Sequence, residues 1–134
     1  MLFNIQAYSQ NNDYIKNVQS IDGTIETLYS VISGDKEVKR DWDLFKYLFH
    51  KDAKLIPTIT NEEGKIGVRF MSPNEYVDSS GKWLFENGFH EKEIGRTTER
   101  FGNIVHVFSS YESFRAKTDT KPFSRGGKQH SITL

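Results

Sequence analysis

Apolar positions recur with a helical period over the first part of the chain and alternate with polar ones over the last part. Val18, Ile21, Ile25, Leu28, Tyr29 and Ile32 fall at i, i+3, i+7, i+10, i+11 and i+14. They form one stripe of a helix that Gly34 is placed to close as its C′ residue. Asp41 can cap a second helix, with Trp42, Phe45, Leu48 and Phe49 on one side and an end near His50. Asp52 to Ile56 reads as a strand stopped by Pro57, with Lys65 to Met71 as its hairpin partner across an Asn61–Gly64 turn. Ser72, Pro73 and Glu75 sit as N-cap, N1 and N3 of a capping box, so a third helix starts there. It is expected to break at Gly81 and to add one more turn ending at Asn87-Gly88.

From Phe89 to Ala116 the period becomes two. Gly102-Asn103 joins two strand-like runs, and a type II′ turn needs the positive φ that Gly supplies. A two-residue loop fixes the register. Phe101 then faces Ile104, Glu99 faces His106, Thr97 faces Phe108 and Glu93 faces Glu112. The other surface pairs Arg100 with Val105, Arg96 with Ser109 and Ile94 with Tyr111. Each surface is half apolar, and a sheet of that kind is covered on both sides. Helices can cover one side. A second copy of the chain is the simplest cover for the other, which makes a homodimer packed on the face of Val105, Val107 and Tyr111 the expectation. A last strand, Phe123 to Leu134, is expected to carry a glycine bulge at Gly126-Gly127.

Composition narrows the partners. The 134 residues suit one domain. With 18 basic and 18 acidic residues there is no basic stripe for nucleic acid. The absence of cysteine excludes disulfides and thiolate metal sites, and no apolar run reaches the roughly 20 residues that span a bilayer. Residues 1–12 read as a flexible segment. Ala7-Tyr8-Ser9 gives them the alternative of being the tail of a secretory leader, which would imply export instead of a cytoplasmic location. Residues 13–134 form the domain.

Candidate chemistry gathers on the face of Glu93, Glu99, His106 and Glu112. Histidine titrates near neutral pH, and an opposed Glu99 favours its charged form. Glu93 opposite Glu112 sets like charges together unless Arg69, Arg115 or Arg125 comes between them. Tyr29 on the buried helical stripe adds a hydroxyl. In an apolar recess this set could move a proton; on a solvated rim it is only a set of cross-strand ion pairs. The four histidines share no ligand spacing, so no metal site is expected. No phosphate loop or nucleophile elbow occurs, and no cofactor is implied.

Two helices, a short hairpin, a third helix and long antiparallel strands make an order that resembles the nuclear-transport-factor-2-like superfamily, with its SnoaL-like cyclases, ketosteroid isomerases and scytalone dehydratase. The stretches RDWDLFKYLFHKDAKLIPT, from Arg40, and ERFGNIVHVFSSYES, from Glu99, are similar to a bacterial branch of it. The resemblance implies an α+β fold in which a cone-shaped, curved antiparallel sheet wraps around N-terminal helices, often with a pocket and often dimeric. Such domains add one more strand after the equivalent of His130–Leu134, so a missing last strand is a further expectation. The superfamily's acid/base residues do not carry over, and the fold does not fix one chemistry.

Three functions fit. The first is a module holding a small, mostly apolar molecule in a pocket lined by Phe45, Phe49, Trp83 and Phe108, with Glu93 and Glu112 as polar anchors. The second is an isomerase, dehydratase or cyclase using His106 with Glu99 and Tyr29. The third is a non-catalytic dimerisation module filled by its own side chains.

Overall fold

The computed structural model describes residues 13–134, so the readings of residues 1–12 lie outside the described residues. A short 3-10 turn, Lys16–Val18, precedes α1 (Ile21–Ile32). The apolar stripe is therefore interrupted before Ile21: Ser20 accepts a bond from the Gly23 amide at 2.9 Å and starts the helix anew. Ser33 is the C-cap, which leaves Gly34 at C′ as expected, but Gly34 does not take a positive φ and instead bridges Phe89. Asp41 caps α2 (Trp42–Tyr47) through the Leu44 amide. That helix is shorter than its apolar residues suggest.

The first hairpin is present but displaced. Its strands are β1 (Thr58–Thr60) and β2 (Ile66–Val68), so pairing begins after Pro57, and Leu55 makes only an isolated bridge to Met71. Proline cannot donate to a ladder, and here it separates the bridge from the strand. The Asn61–Gly64 turn is as expected: the Asn61 side chain accepts from the amides of Glu63 and Lys65, and Gly64 takes φ 78°.

Both bonds of the Ser72/Glu75 capping box form at the start of α3 (Pro73–Asn87). Ser72→Ala will cost about 1 kcal/mol by removing one acceptor from the first turn; an unchanged urea midpoint would refute this. The helix runs through Gly81 without a break. One helical glycine costs only about 1 kcal/mol, too little to break a helix of this length, and a Cβ there would meet the Trp42 ring at an ordinary 3.6 Å.

Strands β3 (His90–Phe101), β4 (Ile104–Phe114) and β5 (Ser124–Thr133) form an antiparallel sheet in the order β3-β4-β5. Together with the β1–β2 sheet this makes an α+β fold in which neither sheet closes. Gly102 takes φ 58° in the turn. The expected register holds from Phe101↔Ile104 to Arg96↔Ser109. A bulge between Glu93 and Gly95 then shifts it by one, so Glu93 pairs with Tyr111 and Glu112 with Lys92. The expected Glu93/Glu112 and Ile94/Tyr111 pairs are thus overturned. At Gly126-Gly127, by contrast, β5 pairs without interruption. Those glycines make room: a Cβ at Gly126 would lie 2.5 Å from the Tyr111 hydroxyl, and one at Gly127 would lie 3.0 Å from the Phe108 ring.

The faces of the sheet are the reverse of the expectation. Val105 and Val107 are fully buried against Ile25 and Tyr29 of α1, with Ile21, Tyr111 and Ile132 around them. They cannot form a dimer seam. Ile104, Phe108 and Phe101, the last 89% exposed, stand on the outer face. A second cluster joins α1, α2 and α3 around Val31, Ile32 and Phe45. No helix among the described residues is long and apolar enough to cross a membrane.

Candidate functional site

The bulge decides which charges face α1. By turning β3 over, it places Glu91 and Glu93 on the same side as Arg96, opposite Ser113, Tyr111 and Ser109 of β4. Lys128 and His130 of β5 join that side, paired with Ser109 and Val107. A sheet face that is apolar at Val105, Val107 and Ile132 therefore becomes polar toward its other end.

Ser109 is fully buried, and its single hydroxyl proton goes to Glu93 in a close hydrogen bond. Tyr29 Oη, 2.7 Å from Ser109 Oγ, must then be the donor of that second bond. Arg96 Nε lies 3.1 Å from both Glu93 oxygens, and Nη2 lies 2.6 Å from Oε1. Arg96 Nη1 reaches Asp22, in the first turn of α1, at 2.5 Å. Because Asp22 and Tyr29 sit on one helix, the run Tyr29–Ser109–Glu93–Arg96–Asp22 clamps α1 to the sheet at two points.

A second group adjoins the first. Lys128 Nζ is in close contact with Glu91 and lies 4.9 Å from the Tyr29 ring centre and 4.7 Å from that of Tyr111. The ammonium is thus shared by a carboxylate and two aromatic faces.

Burial pushes the Tyr29 hydroxyl up to about 12. Burial also raises Glu93, but the bonds from Arg96 and Ser109 outweigh it and hold that carboxyl below its usual value. Glu91 is raised by burial against the pull of Lys128. His130 is lowered to about 4, by burial first and then by the positive charge of Lys128, so its ring is neutral near pH 7. Its Nε2 is shielded from water and has no partner among the described residues.

A depressed histidine pKa contributes stability that is present above the ordinary value of 6.5 and is lost as pH falls through about 4. His130→Phe keeps the ring shape and removes the titration. It will flatten the fall of stability across that window without lowering it at pH 7, measured by urea denaturation; an unchanged slope would contradict the burial of the ring.

Of the residues singled out in the sequence, only Tyr29 and Glu93 belong to this cluster. His106 and Glu99 are neighbours, with Nδ1 and Oε2 4.0 Å apart, but they face water on the outer side along with Phe108. Glu112 is bonded to Arg125 at 2.8 Å. Phe45 and Phe49 pack with Trp42 and Tyr76 between the helices. Trp83 lies against Arg115, whose guanidinium sits 4.6 Å from it and 4.0 Å from Phe123. The proposed pocket residues thus lie in separate places. Two surface hollows lie elsewhere again, along the β1–β2 hairpin and at Lys121–Arg125.

Glu91, Arg96, Ser109, Lys128 and His130 were not assigned to a site by sequence reasoning. One signal pointed to them: Gly95 inside a long strand marks a bulge, and a bulge there turns Glu91 and Glu93 toward α1. Apart from His130, the acids and bases of the cluster bond to one another, and together they clamp α1 to the sheet. No family model matches the chain, and neither curated proteins nor solved structures give a match.

Proposed function

We propose that this chain is a nuclear-transport-factor-2-like domain serving as a non-catalytic homodimerisation module. In this reading the sheet curves as a cone over the helices, α1 closes the inner face, and a second copy covers the outer one. The order of helices and strands supports the membership. The observation that carries the function is the outer face itself: Phe101, Ile104 and Phe108 are all exposed there, while the inner face is occupied by the chain's own side chains. An apolar cluster of that kind on a sheet marks a contact surface.

His130 favours a second reading, in which the domain also holds a small, mostly apolar molecule at the inner face. A shielded nitrogen without a partner among the described residues carries a cost that one polar atom of a ligand would offset. Native mass spectrometry of the purified protein separates the two. A dimer mass with nothing added supports the first reading, whereas a stoichiometric added mass that is lost in His130→Phe supports the second.

A further inference from the structure

The β1–β2 hairpin is an arm. Every residue of its two strands is exposed, and among the described residues the strands pair with each other and with no third strand. A lone two-stranded hairpin is marginally stable in water. Ile66 and Val68 nonetheless share one face of it, with Phe70 two residues further along, and all three stand in solvent. The chain therefore presents two separate apolar surfaces, the arm and the outer sheet face.

Their sizes indicate what covers them. Phe101, Ile104, Phe108, Ile66, Val68 and Phe70 are between 48% and 89% exposed. With about 150 Å² for a large apolar side chain, burying one arm on one sheet face removes roughly 600 Å². That is the scale of a packing contact. Repeated by a two-fold axis it reaches about 1,200 Å², the lower bound of stable interfaces. Two sheets packed face to face give only about half of that by the same count and leave both arms in water. The balance of 18 basic and 18 acidic residues sets no net repulsion between copies.

We infer that in the dimer each copy lays its β1–β2 arm across the outer sheet face of the other, with Ile66, Val68 and Phe70 against Phe101, Ile104 and Phe108. This rests on the dimerisation reading and names a contact distinct from sheet against sheet. The chain has no cysteine, so introduced thiols are unique. Val68→Cys and Phe108→Cys are made in separate chains of different mass, mixed, and oxidised mildly. A disulfide joining position 68 of one chain to 108 of the other is the expected product. A second mixture, Ile66→Cys with Ile104→Cys, covers the case of poor geometry at the first pair. A dimer that yields neither mixed product, or yields only a 108–108 link, overturns the arm contact and leaves the dimer standing. Native protein that sediments as a monomer removes both.

Discussion

Lys128→Met will destabilise the fold by about 3–5 kcal/mol at pH 7, the usual cost of leaving a buried charge without its partner. The Glu91 side chain is 6% exposed and Lys128 is its counter-charge. The sign of the pH dependence follows from the direction of the Glu91 shift. Burial already raises that carboxyl, and loss of Lys128 raises it further. A raised folded pKa favours the fold below the unfolded value of about 4.3 and loses that advantage as pH rises through the folded value. The deficit of Lys128→Met will therefore be largest near neutral pH and shrink as the solution is acidified toward pH 5. Adding Glu91→Gln to the same chain will recover most of the loss at pH 7. Urea denaturation of the single and double variants at the two pH values measures this. An equal deficit at both would mean that packing against Tyr29 and Tyr111, and not the charge, is what Lys128 contributes.

Arg40→Met will cost on the order of 2–3 kcal/mol, since one buried carbonyl, that of Ile32, loses its donor at about 1–3 kcal/mol and several half-buried ones lose a lesser share. Arg40 is 9% exposed and bonds to no carboxylate among the described residues. Its guanidinium donates to the carbonyls of Val38 and Gly34 at 2.7 Å and to those of Ile32 and Asp35 at 3.3 Å. These acceptors lie at and beyond the C-terminus of α1, where helical carbonyls have no partner of their own. The fork also explains Gly34, where a Cβ would come within 2.9 Å of Arg40 Cζ. Arg40→Lys will restore little, because one ammonium cannot reproduce a planar set of five donors. Full stability in the lysine variant, followed by thermal or urea unfolding, would refute this account.

Short-range signals in the sequence proved the most legible. Ser72 with Glu75, Asp41, and the Gly102-Asn103 turn each act within a few residues, and each is where the sequence puts it. The hairpin register follows from its turn as far as Arg96, and then one extra residue at the bulge moves everything beyond it. The face assignment failed for a different reason. Phe101, Ile104 and Phe108 are as apolar as Val105, Val107 and Tyr111, so alternation alone cannot say which row meets the helix. Small residues do not settle it either: Ser109 and Gly126 leave space for Tyr29 and Tyr111 on the inner row, and Gly127 leaves space for Phe108 on the outer one. The Glu91/Lys128 contact was hidden because it spans two strands, and its register depends on β5 running unbulged through Gly126 and Gly127.

Sedimentation velocity at tens of micromolar, on the native chain and on Phe108→Asp, tests most directly the claim that the outer sheet face is where two copies meet. Phe108 is 48% exposed, so a carboxylate there leaves the core untouched while placing a charge in the middle of the contact. The native chain is expected to sediment as a dimer and Phe108→Asp as a folded monomer. A native monomer, or a Phe108→Asp dimer as tight as the native one, would contradict the account.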